Sequence, residues 1–410
     1  MKTRVAAIEF GTSKIVTVIA QSSARSNHCQ IVSCGKVNYA GYGSGDWTDW
    51  DSLNKAIYNS IIAAQSDAGT PIKDIYIGVP CEFMHVRCAE AEVPIKGENG
   101  RVGIEDIQAV EDMAADVMNF KDSDDYVIHR SPAWYSVDRG AKTMEPQGMK
   151  GGYLSAKVSF IIASADFVDD MRDIMGHVGI TINGFLSPAL GEMLLSTDPG
   201  DRDSGCVFVD AGMYNTEISI LRGDAIVHHA VLPMGGNDIT SYLADELEIR
   251  YDEAEELKRA VVVGEKSKTM LLNPQGKDRN NALSQYKPEV VCKLVEVALE
   301  KTANVIRKVI ESTKGELALK SVVYVTGGGL ACLRGAADYL ESYLGRKVKL
   351  VDDLPTNKLK SPEYASTLGL VDLIFDSIEQ RYDEQQTLPM RALDTFRGLF
   401  SKTRPDDDEE

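Results

Sequence analysis

The 410-residue sequence predicts an α/β protein of two related halves facing each other across a cleft, with a small α+β unit inserted into the first half. Three observations lead there. A strand, an acidic residue and a glycine-bearing turn occur twice, about 200 residues apart, and self-similarity at that separation marks a duplicated architecture. The triplet Gly327-Gly328-Gly329 directly follows the buried apolar run Val322 to Thr326. Between the two repeats, from about Cys81 to Ser164, the texture changes to a mixture of strands, one helix and turn-rich chain.

The elements follow in order. Val5-Ala6-Ala7-Ile8 reads as a strand that enters Gly11-Thr12-Ser13-Lys14, and Ile15 to Ile19 resumes β-branched character. The apolar stretch is broken at Glu9 and ends in no small-residue cleavage site, so it reads as a strand and not a signal peptide. Leu53, Ala56, Ile57, Ser60, Ile61 and Ala64 repeat at helical spacing, and Ile75 to Val79 is a buried strand closed by Pro80. In the inserted block, Glu105 to Met118 is helix-like. Tyr126-Val127-Ile128 leads into a turn-rich stretch with Pro132, Pro146 and Gly148, and Lys157 to Ala163 is strand-like. The second strand–turn–strand runs Cys206 to Asp210, Ala211 to Thr216 and Glu217 to Ile220. Past Gly235-Gly236 the chain turns helical, over Asp252 to Val262 and Glu289 to Ser312.

Composition excludes several classes. Hydrophobic residues at 43% and charged residues at 26% are those of a globular chain, and the formal net charge of −18 argues against a nucleic-acid binder. No apolar run of the roughly 18 residues needed to span a membrane occurs. The seven cysteines (29, 34, 81, 88, 206, 292, 332) form no CxxC pair and read as thiols in a reducing cytosol. His228 and His229 point to opposite faces of a strand, so they share no metal. HExxH, GxSxG and Walker-type patterns are absent.

Paired turns, each with an acid, a glycine and hydroxyls, are what a phosphate clamp needs, because backbone N–H groups can point at phosphate oxygens where glycine permits close approach. The first turn comprises Gly11, Thr12, Ser13 and Lys14, with Lys14 a point charge for terminal phosphates. The second comprises Asp210, Gly212, Asn215 and Thr216, with Asp210 placed to hold magnesium directly or through water. Either turn alone also reads as an ordinary hairpin turn. The glycine triplet would let a flat base lie against backbone, and Gly235-Gly236 would approach the ribose. Glu255 and Lys258 share a helix face, as adenosine contacts or as a solvated ion pair.

Together these motifs resemble the actin-like ATPase superfamily and, within it, the FtsA family of bacterial cell-division proteins. The turn beginning at Glu9 resembles the first phosphate loop, Asp210 to Thr216 the second, and Thr326 to Gly329 the adenosine motif. His129, Pro132, Tyr135, Val137-Asp138, Pro146, Gly148-Met149 and Gly151 resemble the family's inserted subdomain 1C, and Ser361 to Ala365 with Leu368-Gly369-Leu370 resembles its closing helix. The resemblance implies duplicated ribonuclease-H-like halves. Domain 1A would take 1–81 and 165–193, subdomain 1C 82–164, domain 2A 194–236, domain 2B with its return to 2A 237–320, the end of 2A 321–358 and the closing helix 359–376. It implies ATP or ADP with Mg²⁺, with Glu9 and Asp210 as the acids. It further implies tethering of FtsZ filaments through the FtsZ C-terminal tail, docked within about 237–320, self-association into filaments, recruitment of later division proteins, and location on the cytoplasmic face of the membrane at the division site.

Departures bear on the cleft. Glu9 replaces the usual aspartate and precedes bulky Phe10, Met213 and Tyr214 replace small residues, Asn215 stands for threonine and Glu217 for aspartate. These side chains crowd a site that works by backbone approach, so the expectation is ATP binding with slow or no hydrolysis. A nucleotide-free scaffold of the same family, a PilM-type pilus-assembly actin homologue and a sugar-kinase-type phosphotransferase share parts of this pattern.

The polar stretch 377–389 reads as a linker. From 390 to 404, Met390, Leu393, Phe396, Leu399 and Phe400 fall on one helical face, with Arg397 and Lys402 among four basic residues against one acid. That is the pattern of an interfacial membrane helix, and the resemblance implies the same; docking on its own domain is the alternative. The acidic end, 405–410, would be repelled by an anionic leaflet.

Overall fold

The computed structural model describes residues 2–23, 26–43, 45–120, 126–264, 286–313, 315–352, 354, 356 and 358–387. The chain opens with three antiparallel strands, β1 (Lys2–Phe10), β2 (Lys14–Ser23) and β3 (Ser26–Asn38), followed by the short pair β4 (Tyr42–Gly43) and β5 (Asp46–Trp47). Helix α1 (Trp50–Ala68) starts at Asp49, whose carboxylate accepts the Ser52 N–H, and stops at Gly69 in the left-handed region. Its buried face is Leu53, Ala56, Ile57, Ser60, Ile61 and Ala64, the set given by the sequence spacing. Strand β6 (Asp74–Gly78) then runs parallel to β1.

The inserted unit is a three-stranded sheet, β7 (Met84–Pro94), β8 (Tyr126–Val137) and β9 (Tyr153–Ala163) in the order β7-β9-β8, with α2 (Ile104–Met118) across one face. Strand β8 continues through Pro132, where the sequence reading had turn-rich chain. As an edge strand with register shifts on both sides of the proline, it can spare the missing N–H. The other face of this sheet lies on the second half. Trp134 and Ala133 pack on Ala225, Ser159 Oγ donates to the Ile226 carbonyl, and Lys157 pairs with Glu316.

The chain returns to the first sheet through α3 (Ala165–His177) and β10 (Thr181–Leu186), completing the order β10-β6-β1-β2-β3. Helices α4 (Pro188–Ser196) and α5 (Pro199–Ser204) cross to the second half. There β11 (Cys206–Ala211), β12 (Thr216–Arg222) and β13 (Ala225–Leu232) form another antiparallel run. After α6 (Gly236–Leu247), α7 (Tyr251–Ala260) and α8 (Pro288–Ser312) come β14 (Val323–Thr326), α9 (Ala336–Leu344) and β15 (Val348–Leu350). The second sheet has the order β15-β14-β11-β12-β13, the same topology as the first element for element, so the duplication read from the sequence is present in three dimensions.

Helix α10 (Ala365–Thr387) closes the molecule against β1 and α4. It corrects the linker expectation over 377–387: glutamate, glutamine and arginine sustain a helix without an apolar period. Where α4 and α10 cross, Gly191 and Gly369 bring the two backbones together, and a Cβ at position 369 would fall inside the backbone of Glu192. The amphipathic segment 390–404 and the acidic end 405–410 lie outside the described residues.

Candidate functional site

The two glycine turns close identically. The Gly11 N–H donates to the Lys14 carbonyl at 2.9 Å, and the Gly212 N–H donates to the Asn215 carbonyl at 2.9 Å. Each turn leaves a central strand whose penultimate or nearby acid faces the gap, Glu9 in β1 and Asp210 in β11. The turns also touch: the Tyr214 N–H donates to Thr12 Oγ1 at 3.3 Å. Between them lies a cleft of about 380 Å³.

Of the residues singled out from the sequence, Glu9, Gly11, Thr12, Ser13, Lys14, Asp210, Gly212, Asn215, Gly236, Glu255, Lys258, Gly327, Gly328 and Gly329 all line this cleft. Two do not. Thr216 is fully buried and donates its hydroxyl to the Met234 carbonyl at 2.7 Å, because its position in β12 points into the core. Gly235 lies beneath the second turn, packed against the Gly212 and Met213 carbonyls, and donates to Asp238 at the head of α6. Leu393, Phe396, Arg397, Leu399, Phe400 and Lys402 lie outside the described residues.

The glycine triplet is a steric requirement. Gly327 has φ +85°, and a Cβ on Gly329 would stand 2.5 Å from the Gly212 carbonyl oxygen and 2.9 Å from the Gly236 N. Only a residue without Cβ lets the second turn, the start of α6 and the end of β14 meet.

Electrostatically the cleft is crowded with acid. Glu9 is buried, its oxygens accepting the Ser366 and Thr367 hydroxyls at 3.3 Å each, and burial raises its pKa against the pull of Lys14. Burial, then the charges of Glu217 and Glu9, push Asp210 up to about 7. Glu192, from α4, is 1% exposed and is raised well above the carboxylate range by burial and by Asp210, Glu217 and Glu9, and its Oε1 has no hydrogen-bond partner. Glu217 is held by Ser219 Oγ at 3.0 Å and by His229 Nδ1 at 3.4 Å. Among the described residues no three carboxyl, imidazole or thiol groups converge closely enough to cage a metal ion by themselves. Magnesium retains waters and takes few protein ligands, so Asp210 with Glu9 or the free Oε1 of Glu192 beside it still offers hard oxygens of the kind it takes.

Cations stand at the other end. Lys258 is buried, with Nζ 2.6 Å from Glu255 Oε2, 2.8 Å from Thr240 Oγ1 and 3.1 Å from the Gly236 carbonyl, so the Glu255–Lys258 pair is a wall of the cleft and not a solvated ion pair. Of the two bulky residues of the second turn, Met213 lines the cleft and only Tyr214 leaves it free. Tyr214 does not line the cleft. Its ring stacks on Tyr42 at 6.5 Å, and Asn215 Nδ2 donates to Glu82, the acid at the entrance to the inserted unit.

Sequence reasoning missed Glu192, Glu82, Lys36, Glu363, Ser366 and Thr367. For Glu192 a signal existed, a single carboxylate inside the apolar run Pro188 to Leu195. The others come from chain far from either turn.

Two topologically equivalent sheets with a glycine-turn cleft between them define an actin-like protein. In the solved structures, the chain superposes on a chain of the PilM–PilN type IV pilus biogenesis complex with TM-score 0.58 at 18% identity, covering 90% of this chain and 97% of that one. It superposes on MreB 5 of Spiroplasma citri bound to AMPPNP with TM-score 0.54 at 11% identity, covering 93% and 98%. Within that class the match is narrower. The family model "Cell division protein FtsA" matches residues 207–369, and "SHS2 domain inserted in FTSA" matches 84–162. Curated FtsA proteins align along nearly the whole chain: that of Agrobacterium fabrum is 23% identical, over 90% of this chain and 86% of its own length. That of Pseudomonas aeruginosa is 24% identical, over 89% and 87%, and that of Bacillus subtilis 22%, over 89% and 82%. This chain belongs to the FtsA family of cell-division proteins.

Proposed function

We propose that the interlobe cleft binds ATP or ADP with Mg²⁺, with slow or no hydrolysis, and that the protein tethers FtsZ filaments to the cytoplasmic membrane. The observation that carries the nucleotide reading is the paired turn: two identically closed glycine loops, on equivalent strands, face one cleft from opposite sides. Gly11 to Lys14 and Gly212 to Asn215 would cradle the phosphates, and Glu255, Lys258 and the glycine triplet would flank the adenosine. Glu9, Asp210 and Glu192 would hold the magnesium waters. When bound, magnesium supplies charge neutralisation for the phosphates and for this acid cluster. The AMPPNP and ADP carried by the MreB structures support the reading by analogy of fold.

Family membership supports the division role. On this reading the FtsZ tail docks within about 237–320, copies of the chain associate into filaments, later division proteins are recruited, and residues 390–404 anchor the assembly on the cytoplasmic face at the division site. Among the described residues no helix is long and apolar enough to cross a membrane. The PilM-type and sugar-kinase readings are not favoured, because the family match includes the inserted unit and the likeness to PilM is one of fold. The tether has a direct check with FtsZ and anionic vesicles. The full chain should sediment FtsZ with the lipid, and a chain ending at Thr387 should leave it in the supernatant. Equal sedimentation by both would contradict the anchor.

A nucleotide-free scaffold of the same family remains the second reading, favoured by one observation: the cation of the first turn already has an anionic partner in the protein.

A further inference from the structure

Lys14, the charge placed for terminal phosphates, lines the cleft with its ammonium already engaged by the protein. Its Nζ donates to the Glu363 carboxylate at 3.0 Å and to the Glu363 carbonyl at 2.9 Å, and it lies 4.4 Å from the centre of the Tyr364 ring. Lys36 approaches from the adjacent strand. Its Nζ is 3.7 Å from the other Glu363 carboxylate oxygen and donates to Tyr364 Oη at 3.1 Å. Glu363 itself lines the cleft, and its Cβ stands 3.5 Å from where a side chain on Gly328 would begin. Burial opposes its charge, yet the Lys14 and Lys36 ammonium groups hold its carboxyl below the usual range.

A carboxylate that gathers two lysines between a glycine turn and a phosphate-type turn does what a phosphate group would do there. We propose that Glu363 is an internal anion that competes with nucleotide phosphates for Lys14 and Lys36, so that nucleotide enters by exchange and not into a free site. The inference rests on the nucleotide reading above and adds a regulatory element to it. Two effects act in the same direction. Lys14 must leave Glu363 before it can serve a phosphate, which lowers the fraction of protein competent to bind. An incoming phosphate also meets the Glu363 charge at short range until that side chain turns away. Adenosine, which carries no phosphate, escapes both effects.

The test uses the full chain and its Glu363→Gln variant, titrated with ADP and magnesium and, separately, with adenosine. Glutamine keeps the shape and the backbone contact to Lys14 but removes the charge. Because the Lys14–Glu363 pair is partly solvated, the expected gain in ADP affinity is roughly threefold to tenfold, with adenosine affinity unchanged. Tyr364→Leu, which loosens the same clamp by removing the ring and the hydroxyl, should shift ADP in the same direction by less. Equal or weaker ADP binding by both variants, with measurable binding by the unaltered chain, would overturn the clamp and leave the nucleotide reading standing. An equal gain for adenosine would also overturn it, since the competition would then not concern phosphate. No ADP binding by any of the three proteins at millimolar concentration would overturn the nucleotide reading, and the clamp with it.

Discussion

Gly369→Val is expected to lower the thermal unfolding midpoint by roughly 3 to 4 °C, on the order of 3 kcal/mol for a chain of this length, and to weaken any ligand binding in the cleft at temperatures where the protein remains folded. The reason is the crossing of α4 and α10. Gly191 and Gly369 face each other there, and any Cβ at position 369 collides with the Glu192 backbone and not with the end of a flexible side chain. Backbone cannot yield without moving a helix. The same two helices supply Glu192, Ser366 and Thr367 to the acid cluster, so separating them displaces the carboxyl groups of the cleft as well as the core contacts of Leu368, Leu370 and Val371. Thermal unfolding followed by circular dichroism reads the first effect. A midpoint within 1 °C or so of the unaltered protein would show that the crossing relaxes at little cost.

Asp210→Asn should separate stability from ligand response. Burial and the neighbouring Glu217 and Glu9 raise the Asp210 pKa from its ordinary value to about 7, so the fold penalises the ionised form. For a raised acid, the stabilising contribution is present while the group stays protonated and is lost as pH climbs from the unfolded value through the folded one. The unliganded protein should therefore lose stability between about pH 4 and pH 8 from this group, and asparagine, neutral throughout, should not. At pH 8 the variant should be the more stable by an amount on the order of 4 kcal/mol, and the difference should vanish only below about pH 4. Magnesium with nucleotide should then stabilise the unaltered protein and leave the variant almost unchanged, reversing their order. A variant that melts lower at pH 8 without ligand would contradict the assignment of Asp210 as a buried, unneutralised acid.

The parts of this molecule legible in its sequence are those where a local pattern has only one way to be satisfied. The buried face of α1 follows from three- and four-residue spacing alone, residue for residue. The duplication follows because both halves carry an acid, a glycine and a resumed strand in the same order, and both turns close with the same hydrogen bond. What escaped was set by distant chain. Lys14 and Glu363 are 349 residues apart, and no local signal links them. The docking of the inserted sheet on β13 depends on Trp134, Lys157 and Ser159 sharing one face, visible only once the strand register is known. In the second turn, side-chain size alone does not predict crowding of the cleft. Tyr214 is large, but it spends its bulk on Tyr42 across the gap and not on the cleft. The place of Thr216 just after the turn predicts a cleft residue, whereas the alternation of β12 sends it to the core. The helix through 377–387 was hidden because a polar run of good helix formers carries no apolar period.

The central claim is that two equivalent turns make one magnesium–nucleotide site. It is tested most directly by titrating a fluorescent ATP analogue into the full-length protein with magnesium and then with chelator. Saturable binding that weakens when magnesium is removed is the predicted result, and it would mean that Glu9, Met213 and Asn215 are accommodated. Absence of binding at millimolar concentration, with or without the metal, would contradict it and leave a scaffold whose Lys14 is permanently satisfied by Glu363.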